Sequence, residues 1–397
     1  MPDAVIVAAA RSPIGRAFKG SLLECRPDDL SAQITTAALA QIPGVDPATV
    51  EDLMLGCATP GGEQGFNIAR VVAVLLGLDS VPGTTVNRYC ASSLQTTRMA
   101  AHAIRAGEAD ILISGGVEMV SRGIPGVPDA PESKNPLFVP AVPAVGGGVD
   151  PRERGALPDV YLDMGSTAEN VADVYGITRE EMDEFAYASQ MKARAGLESG
   201  FWARDITPVT LPDGRVVAAD DGPRPSTTLE GLAALAPVFR ETGLITAGNA
   251  CGLNDGAATL VIMSDTKAKE LGLTPLARIV STAVSGLSPE LMGLGPIEST
   301  RRALALAGLT VADIDQFEIN EAFAAQVIPS QRELGIPDDK LNVHGGAIAV
   351  GHPYGMTGAR ITTTLINSLR WRDEQFGVET MCVAGGMGMA MVIERLS

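Results

Sequence analysis

Along most of the chain, short apolar runs alternate with amphipathic stretches. Residues 4–10 (AVIVAAA) are apolar without alternation, and Arg11-Ser12-Pro13 closes them. That pattern predicts a strand buried on both faces, then a turn. Helical spacing follows at 27–41, Asp46-Pro47 opens a short segment, and 52–56 (DLMLG) reads as a second strand. A strand at 84–86, a turn at 87–90, a helix at 92–106 and a strand at 111–116 complete a first series. The same order returns downstream, with a strand at 277–283, a helix at 298–307 and a strand element at 311–319. A Gly-rich turn at 345–357, a helix at 358–369 and a strand at 380–384 complete the second series. Both series end on a Gly pair, Gly115-Gly116 and Gly385-Gly386. A repeat this long is no solenoid, whose period is roughly 20–50 residues. It predicts duplicated halves building layered α/β sheets.

The region between the halves has a different texture. Residues 123–158 are rich in Pro and Gly and read as long loops. Residues 166–200 have strong helical periodicity, with Thr178-Arg179-Glu180-Glu181 as a capping box. Residues 207–221 resemble a hairpin around Pro212-Asp213-Gly214. The resulting division is a first half at 1–122 plus about 249–273, an inserted loop domain at 123–248 and a second half at 274–397.

Composition narrows the class. With 46% hydrophobic and 19% charged residues over 397 positions, the chain is globular rather than disordered. Aromatics are only 4%, so the core must be aliphatic. Thirty basic against 47 acidic residues give a net charge of -17, which argues against a nucleic-acid partner. No apolar run reaches the ~18 residues of a membrane span. The first residues read as a strand and turn rather than an export signal. Five Cys without a CxxC suit a reducing cytoplasm.

Few residues carry reactive chemistry. Cys90 stands between a strand and a helix, where the helix dipole favours thiolate; the alternative is a small buried hydrophobe. His344 and His352 flank a Gly-rich loop, and His352 precedes Pro353, as a general base or a turn residue. Cys382 ends the last strand of the second series as a reactive or core thiol. Asn320 ends a strand as a site residue or a helix N-cap. No HExxH motif and no His/Cys cluster at ligand spacing is present, so no metal is expected. The GxGxxG, GxxxxGK[ST] and GxSxG motifs of nucleotide and hydrolase sites are also lacking.

Five segments in order resemble the blocks of the thiolase family: NRYCASSLQ at 87–95, GNACGLNDGA at 248–257, NEAF at 320–323, GGAIAVGHP at 345–353 and CVAGGMG at 382–388. The resemblance covers essentially the whole chain. It implies a five-layered α-β-α-β-α core of two half-domains with an inserted loop domain. It implies acyl transfer between coenzyme A and Cys90, coenzyme A being a substrate and no cofactor being permanently bound. His352 matches the family's base and Cys382 its second acid/base. One oxyanion hole would use His352 with a water held by Asn320, and the other the backbone N–H groups of Cys90 and Ala384. Met164, Met292 and Phe323 match segments near the acyl pocket, and Arg224 and Cys251 match positions contacting coenzyme A. Three positions depart from common family usage. Ala384 replaces a Gly and Cys251 a Ser, and Asp163 precedes Met164 where acetoacetyl-specific relatives tend to carry His.

The expected activity is therefore cleavage of 3-ketoacyl-CoA by coenzyme A in fatty-acid β-oxidation. The expected setting is a cytoplasmic homodimer or homotetramer, with a β-oxidation enzyme complex as a candidate partner. The alternatives are an acetoacetyl-CoA-specific acetyltransferase, a ketosynthase-type condensing enzyme and a non-catalytic lipid carrier. A ketosynthase carries Cys-His-His, whereas the third position here is Cys382. A carrier is expected to lose the reactive set, which this chain retains.

Overall fold

The computed structural model describes residues 2–123, 134–138, 152, 155 and 157–397. Much of the loop region expected at 123–158 lies outside the described residues, at 124–133, 139–151, 153, 154 and 156.

The first half contributes strands β1 (Ala4–Arg11), β2 (Asp52–Gly56), β3 (Gly83–Val86), β4 (Ile111–Met119) and β5 (Asn254–Ser264). Its helices are α1 (Pro27–Leu39), α2 (Ile68–Leu75) and α3 (Ser92–Ala106). Between β4 and β5 lie α4 (Met164–Tyr175) and α5 (Arg179–Ser199). The second half supplies β6 (Ala277–Gly286), α6 (Gly295–Ala307), β7 (Gln316–Ile319), α7 (Ala324–Leu334), α8 (Thr357–Arg372), β8 (Phe376–Val383) and β9 (Met387–Arg395).

The strands run in the order β7-β8-β9-β6-β1-β5-β4-β2-β3. In the first half β2 pairs in parallel with both β3 and β4, while β5 is antiparallel to β4 and β1. The second half repeats this, with β7 parallel to β8, and β9 antiparallel to β8 and β6. A single parallel bridge from Phe317 to Leu341 stands where β3 stands in the first half. The two sheets meet where Val5 and Ile6 of β1 pair with Arg278 and Ala277 of β6.

Three apolar clusters separate five layers. The central one joins the inner faces of both sheets to α3 and α8, through Leu260, Met389, Leu94 and Ile361 among others. The outer cluster of the first sheet takes in α1 and α2, and that of the second takes in α6 and α7. Strand alternation is visible within these clusters. Ala258, Leu260 and Ile262 of β5 face the centre, whereas Ala257, Val261 and Met263 face outward. Both faces are buried, which is why these strands read as continuous apolar runs. A register shift between Ile6 and Ala8 swaps the faces of β1. Ile6 therefore points to the centre, while Ala8 and Ala10 point outward.

The stretch with helical periodicity at 166–200 is two helices. Gly176, at φ 62°, ends α4 in the left-handed region. Thr178 then starts α5 with a reciprocal box: its hydroxyl accepts from Glu181 N, and its own N–H donates to Glu181 Oε2 at 2.8 Å. The hairpin also forms, Val209–Thr210 pairing with Val216–Val217 around Gly214. Among the described residues no helix is long and apolar enough to cross a membrane.

Candidate active site

β3 ends four residues before Cys90, β7 ends immediately before Asn320, and β8 carries Cys382 at its penultimate position. After β3 the chain makes a tight turn, Tyr89–Ala91, that runs directly into α3. Tyr89 sits at φ 45°, a conformation that costs a non-Gly residue about 1–3 kcal/mol. Local hydrogen bonds hold it. Tyr89 N donates to Asn87 Oδ1 at 2.8 Å, and Ser92 Oγ donates to Tyr89 O at 2.6 Å. Cys90 is thereby placed at the N-terminal end of α3, buried.

The backbone N–H groups of Ala384 and of Cys90 itself face the Cys90 sulfur. Burial nevertheless dominates and pushes the thiol up to about 12, against the expectation of a dipole-stabilised thiolate. Cys382 is fully buried on β8, and burial followed by the nearby Cys90 and Cys251 raises its pKa well above the usual thiol value. Cys251, half-buried, is likewise pushed up to about 12 by burial and by Cys90. Three thiols therefore share one electrostatic neighbourhood.

His352 enters from the second half. It is 1% exposed, and its backbone N–H donates to Asn254 Oδ1 at 2.9 Å. Its Nδ1 lies 2.6 Å from Thr357 Oγ1, at the first residue of α8. That hydroxyl donates to the Pro353 carbonyl at 2.8 Å, so it accepts from Nδ1–H. The remaining ring nitrogen, Nε2, carries the lone pair and faces Asn320 Nδ2 at 3.2 Å. Burial, with Arg360 nearby, lowers His352 to about 3, which keeps the imidazole neutral. Asn320 is not a helix cap, since α7 begins at Ala324 with Phe323 as its N-cap. Its Oδ1 is buried and has no hydrogen-bond partner among the described residues.

The segment that follows His352 is seated on the start of α3, next to the Cys90 turn. Ala359 N donates to Ser93 Oγ at 2.9 Å, and a Cβ on Gly358 would meet Leu94 N at 2.3 Å. The Tyr354 ring stands edge-on to His352 at 5.1 Å, within electrostatic reach of Cys90 and Cys251. His344 is elsewhere, stacked on Phe201 at 3.6 Å as a packing residue.

The residues expected near an acyl pocket gather as well. Met164, Met292 and Phe323 belong to one apolar cluster that includes Cys382, Ile348 and Ala250. Phe239 adds an edge contact to Phe323 at 6.1 Å. Asp163 is exposed and caps α4, accepting from Ser166 N at 2.8 Å and Ser166 Oγ at 2.7 Å. That cap explains an acidic residue there without reference to substrate. Arg224 is exposed; its backbone N–H is fixed by Gln190 at 2.8 Å. Burial of part of its stem, and Arg16, lower the guanidinium pKa.

Thr357 and Asn254 were missed as site residues by sequence reading. Asn254 was inside a recognised block, but nothing in the pattern links it to a backbone amide 98 positions away.

The comparisons with known proteins agree over the whole length. The Thiolase, N-terminal domain model matches residues 4–266, and the Thiolase, C-terminal domain model matches 273–395. The chain is 45% identical to a 3-ketoacyl-CoA thiolase of Bacillus subtilis, over 99% of this chain and all of that protein. It is 44% identical to a beta-ketoadipyl-CoA thiolase of Escherichia coli and 44% identical to an acetyl-CoA acetyltransferase of Cupriavidus necator, both chains fully covered in each case. The crystal structure of the Bacillus anthracis acetyl-CoA acetyltransferase superposes with a TM-score of 0.89 at 40% identity, covering 100% of this chain and 99% of that one. The chain therefore belongs to the thiolase family and is an acyltransferase.

Proposed function

We propose that the protein cleaves 3-ketoacyl-CoA with coenzyme A, giving acetyl-CoA and a shortened acyl-CoA through an acyl-Cys90 intermediate. In this reading Cys90 gives its proton to His352 Nε2, and its sulfur bonds to the keto carbon. The bond from that carbon to the α-carbon then breaks, and Cys382 protonates the α-carbon to release acetyl-CoA. An incoming coenzyme A thiol returns a proton to Cys382 and attacks the thioester. Cys90 leaves and recovers its proton from His352. The negative oxygens would be held by His352 with a water on Asn320, and by the N–H groups of Cys90 and Ala384. The reaction runs in reverse as a Claisen condensation.

What supports the reading most is the convergence of Cys90 and Cys382 beside the Ala384 N–H. The test is mass analysis after incubation with acyl-CoA, with the acyl group expected on the Cys90 peptide. Label on Cys382 instead would overturn the roles.

Met164, Met292 and Phe323 share one apolar cluster that in this reading would line the acyl pocket, where each buried methylene of substrate offers about 0.8 kcal/mol. We therefore assign a degradative enzyme of β-oxidation, with kcat/KM rising from C4 to at least C6 ketoacyl-CoA. A profile that peaks at acetoacetyl-CoA and collapses at C6 moves the assignment to an acetyl-CoA acetyltransferase. A cytoplasmic homodimer or homotetramer is the setting proposed with it, with a β-oxidation enzyme complex as the larger partner.

A further inference from the structure

Glu118 lies at the end of β4 and is fully buried, yet none of the chemistry above uses it. Its neighbours Val117 and Met119 face the outer cluster, so its side chain points to the central layer. Oε2 accepts from Ala58 N at 2.8 Å and Gly355 N at 2.9 Å. Oε1 accepts from Thr59 N at 3.2 Å, Gln64 Nε2 at 3.4 Å and the Thr59 hydroxyl. The backbone N–H groups and the Gln64 amide can only donate, so the pocket is built for a carboxylate.

Each of the two loops it grips leads to a reacting group. Gly355 is three residues beyond His352. On the other side, the Ala58 carbonyl accepts from Asn87 Nδ2 at 3.0 Å, and Asn87 Oδ1 accepts from Tyr89 N, one residue before Cys90. The approach is close enough to demand glycine. A Cβ on Gly355 would meet Val117 O at 2.6 Å and Glu118 Oε2 at 2.9 Å, and one on Gly116 would meet Gly355 O at 2.0 Å. One carboxylate from the first half thus ties the loop of the base to the turn of the nucleophile.

We propose that Glu118 is a positioning residue for the reaction: it fixes the Cys90 turn, through Ala58 and Asn87, in register with the His352 loop, through Gly355. The inference rests on the assignment of Cys90 and His352 above. Wild-type acylation at Cys90 is therefore the control, and its failure refutes that assignment rather than this one.

The test measures single-turnover acylation and steady-state thiolysis in Glu118→Gln, Glu118→Asp, Asn87→Ala and the Glu118→Gln/Asn87→Ala double variant. Glu118→Gln should lower kcat and the acylation rate about 100-fold with KM changed less than threefold, and Glu118→Asp should recover part of the loss. Asn87→Ala should cost about tenfold, again at constant KM. The double variant should be no slower than Glu118→Gln alone, because the two act along one path. Losses that multiply, or a risen KM with an unchanged acylation rate, overturn the proposal. Should Glu118→Gln fail to fold, exposed Asn87 decides: a slower acylation rate in Asn87→Ala supports the link, and a wild-type rate refutes it.

Discussion

Thr357→Val isolates the hydrogen bond that sets the tautomer of His352. Valine keeps the shape of threonine and removes only the hydroxyl. In the native site that hydroxyl accepts from Nδ1–H at 2.6 Å and donates to Pro353 O at 2.8 Å, with Thr357 0% and His352 1% exposed. Without it, Nδ1–H is a buried donor with no acceptor, at a cost of about 1–3 kcal/mol. The ring has an escape. It can move its proton to Nε2 if the Asn320 amide turns over and offers Oδ1, which has no partner among the described residues. That relaxed site is stable but has no lone pair on Nε2 to take the proton that the proposed reaction removes from Cys90. A preference of about 1–3 kcal/mol for the wrong tautomer leaves roughly one molecule in 5 to one in 150 competent. Single-turnover acylation of Cys90, and thiolysis followed at the enolate absorbance of the ketoacyl-CoA, should both fall by that factor, with KM within twofold. Thr357→Ser should restore them. A Thr357→Val enzyme that acylates at the wild-type rate would show that Nδ1 is not the protonated nitrogen and would remove the basis for Nε2 as the base.

Three further outcomes follow from the site. The His352 pKa is lowered from 6.5 to about 3, so the base stays in its working neutral form as pH falls through 6.5; kcat/KM should be flat between about pH 5.5 and 7, and an acid limb with a midpoint near 6.5 contradicts this. Cys382→Ser should still take up an acyl group from acyl-CoA on Cys90 but lose cleavage and condensation; the reverse pattern exchanges the roles of the two thiols. Arg224→Ala should raise the KM for coenzyme A with little change in kcat, the signature of lost uniform binding, and an unchanged KM rejects Arg224 as a ligand contact.

What the chain discloses about itself depends on whether the signal is local. Strand and helix periods located most elements, because strands buried on both faces and amphipathic helices write their pattern into consecutive residues. The α5 capping box was legible for the same reason, since its two partners are three residues apart. The break between α4 and α5 is made by Gly176 in the left-handed region and Thr178 in extended backbone; the box marked where α5 starts, but helical spacing on both sides concealed that a separate helix ends at Gly176. Cys90, Cys382 and His352 stood out as rare reactive types at strand and loop ends. The residues that orient them did not. Asn254 reaches His352 and Glu118 reaches Gly355 only after the two halves close on each other, and nothing in sequence spacing marks such a contact. Asp163 shows the opposite case, a position read for its bearing on substrate whose side chain is committed to a helix cap.

The ionisation of Cys90 turns on magnitude. Its placement at the N-terminus of α3 was the reason to expect thiolate, and the placement is as expected. A helix terminus contributes about 0.3–1 kcal/mol at an exposed site, up to about 2 when partly buried. Raising a buried thiol from 9.0 to about 12 corresponds to about 4 kcal/mol, so burial overrides the dipole even with two N–H groups directed at the sulfur. Free Cys90 is then a thiol and His352 a neutral imidazole, and in the proposed reaction neither carries charge until substrate arrives. In the proposed reaction, proton transfer and carbon–sulfur bond formation must therefore be closely coupled. A step of that kind depends on the relative placement of sulfur, Nε2 and the keto carbon, where an error of an ångström is costly. This gives a physical reason for strained Tyr89 to be pinned by Asn87 and for the His352 loop to be tied to the first sheet. In the proposed reaction, rigid placement supplies what a standing thiolate would otherwise provide.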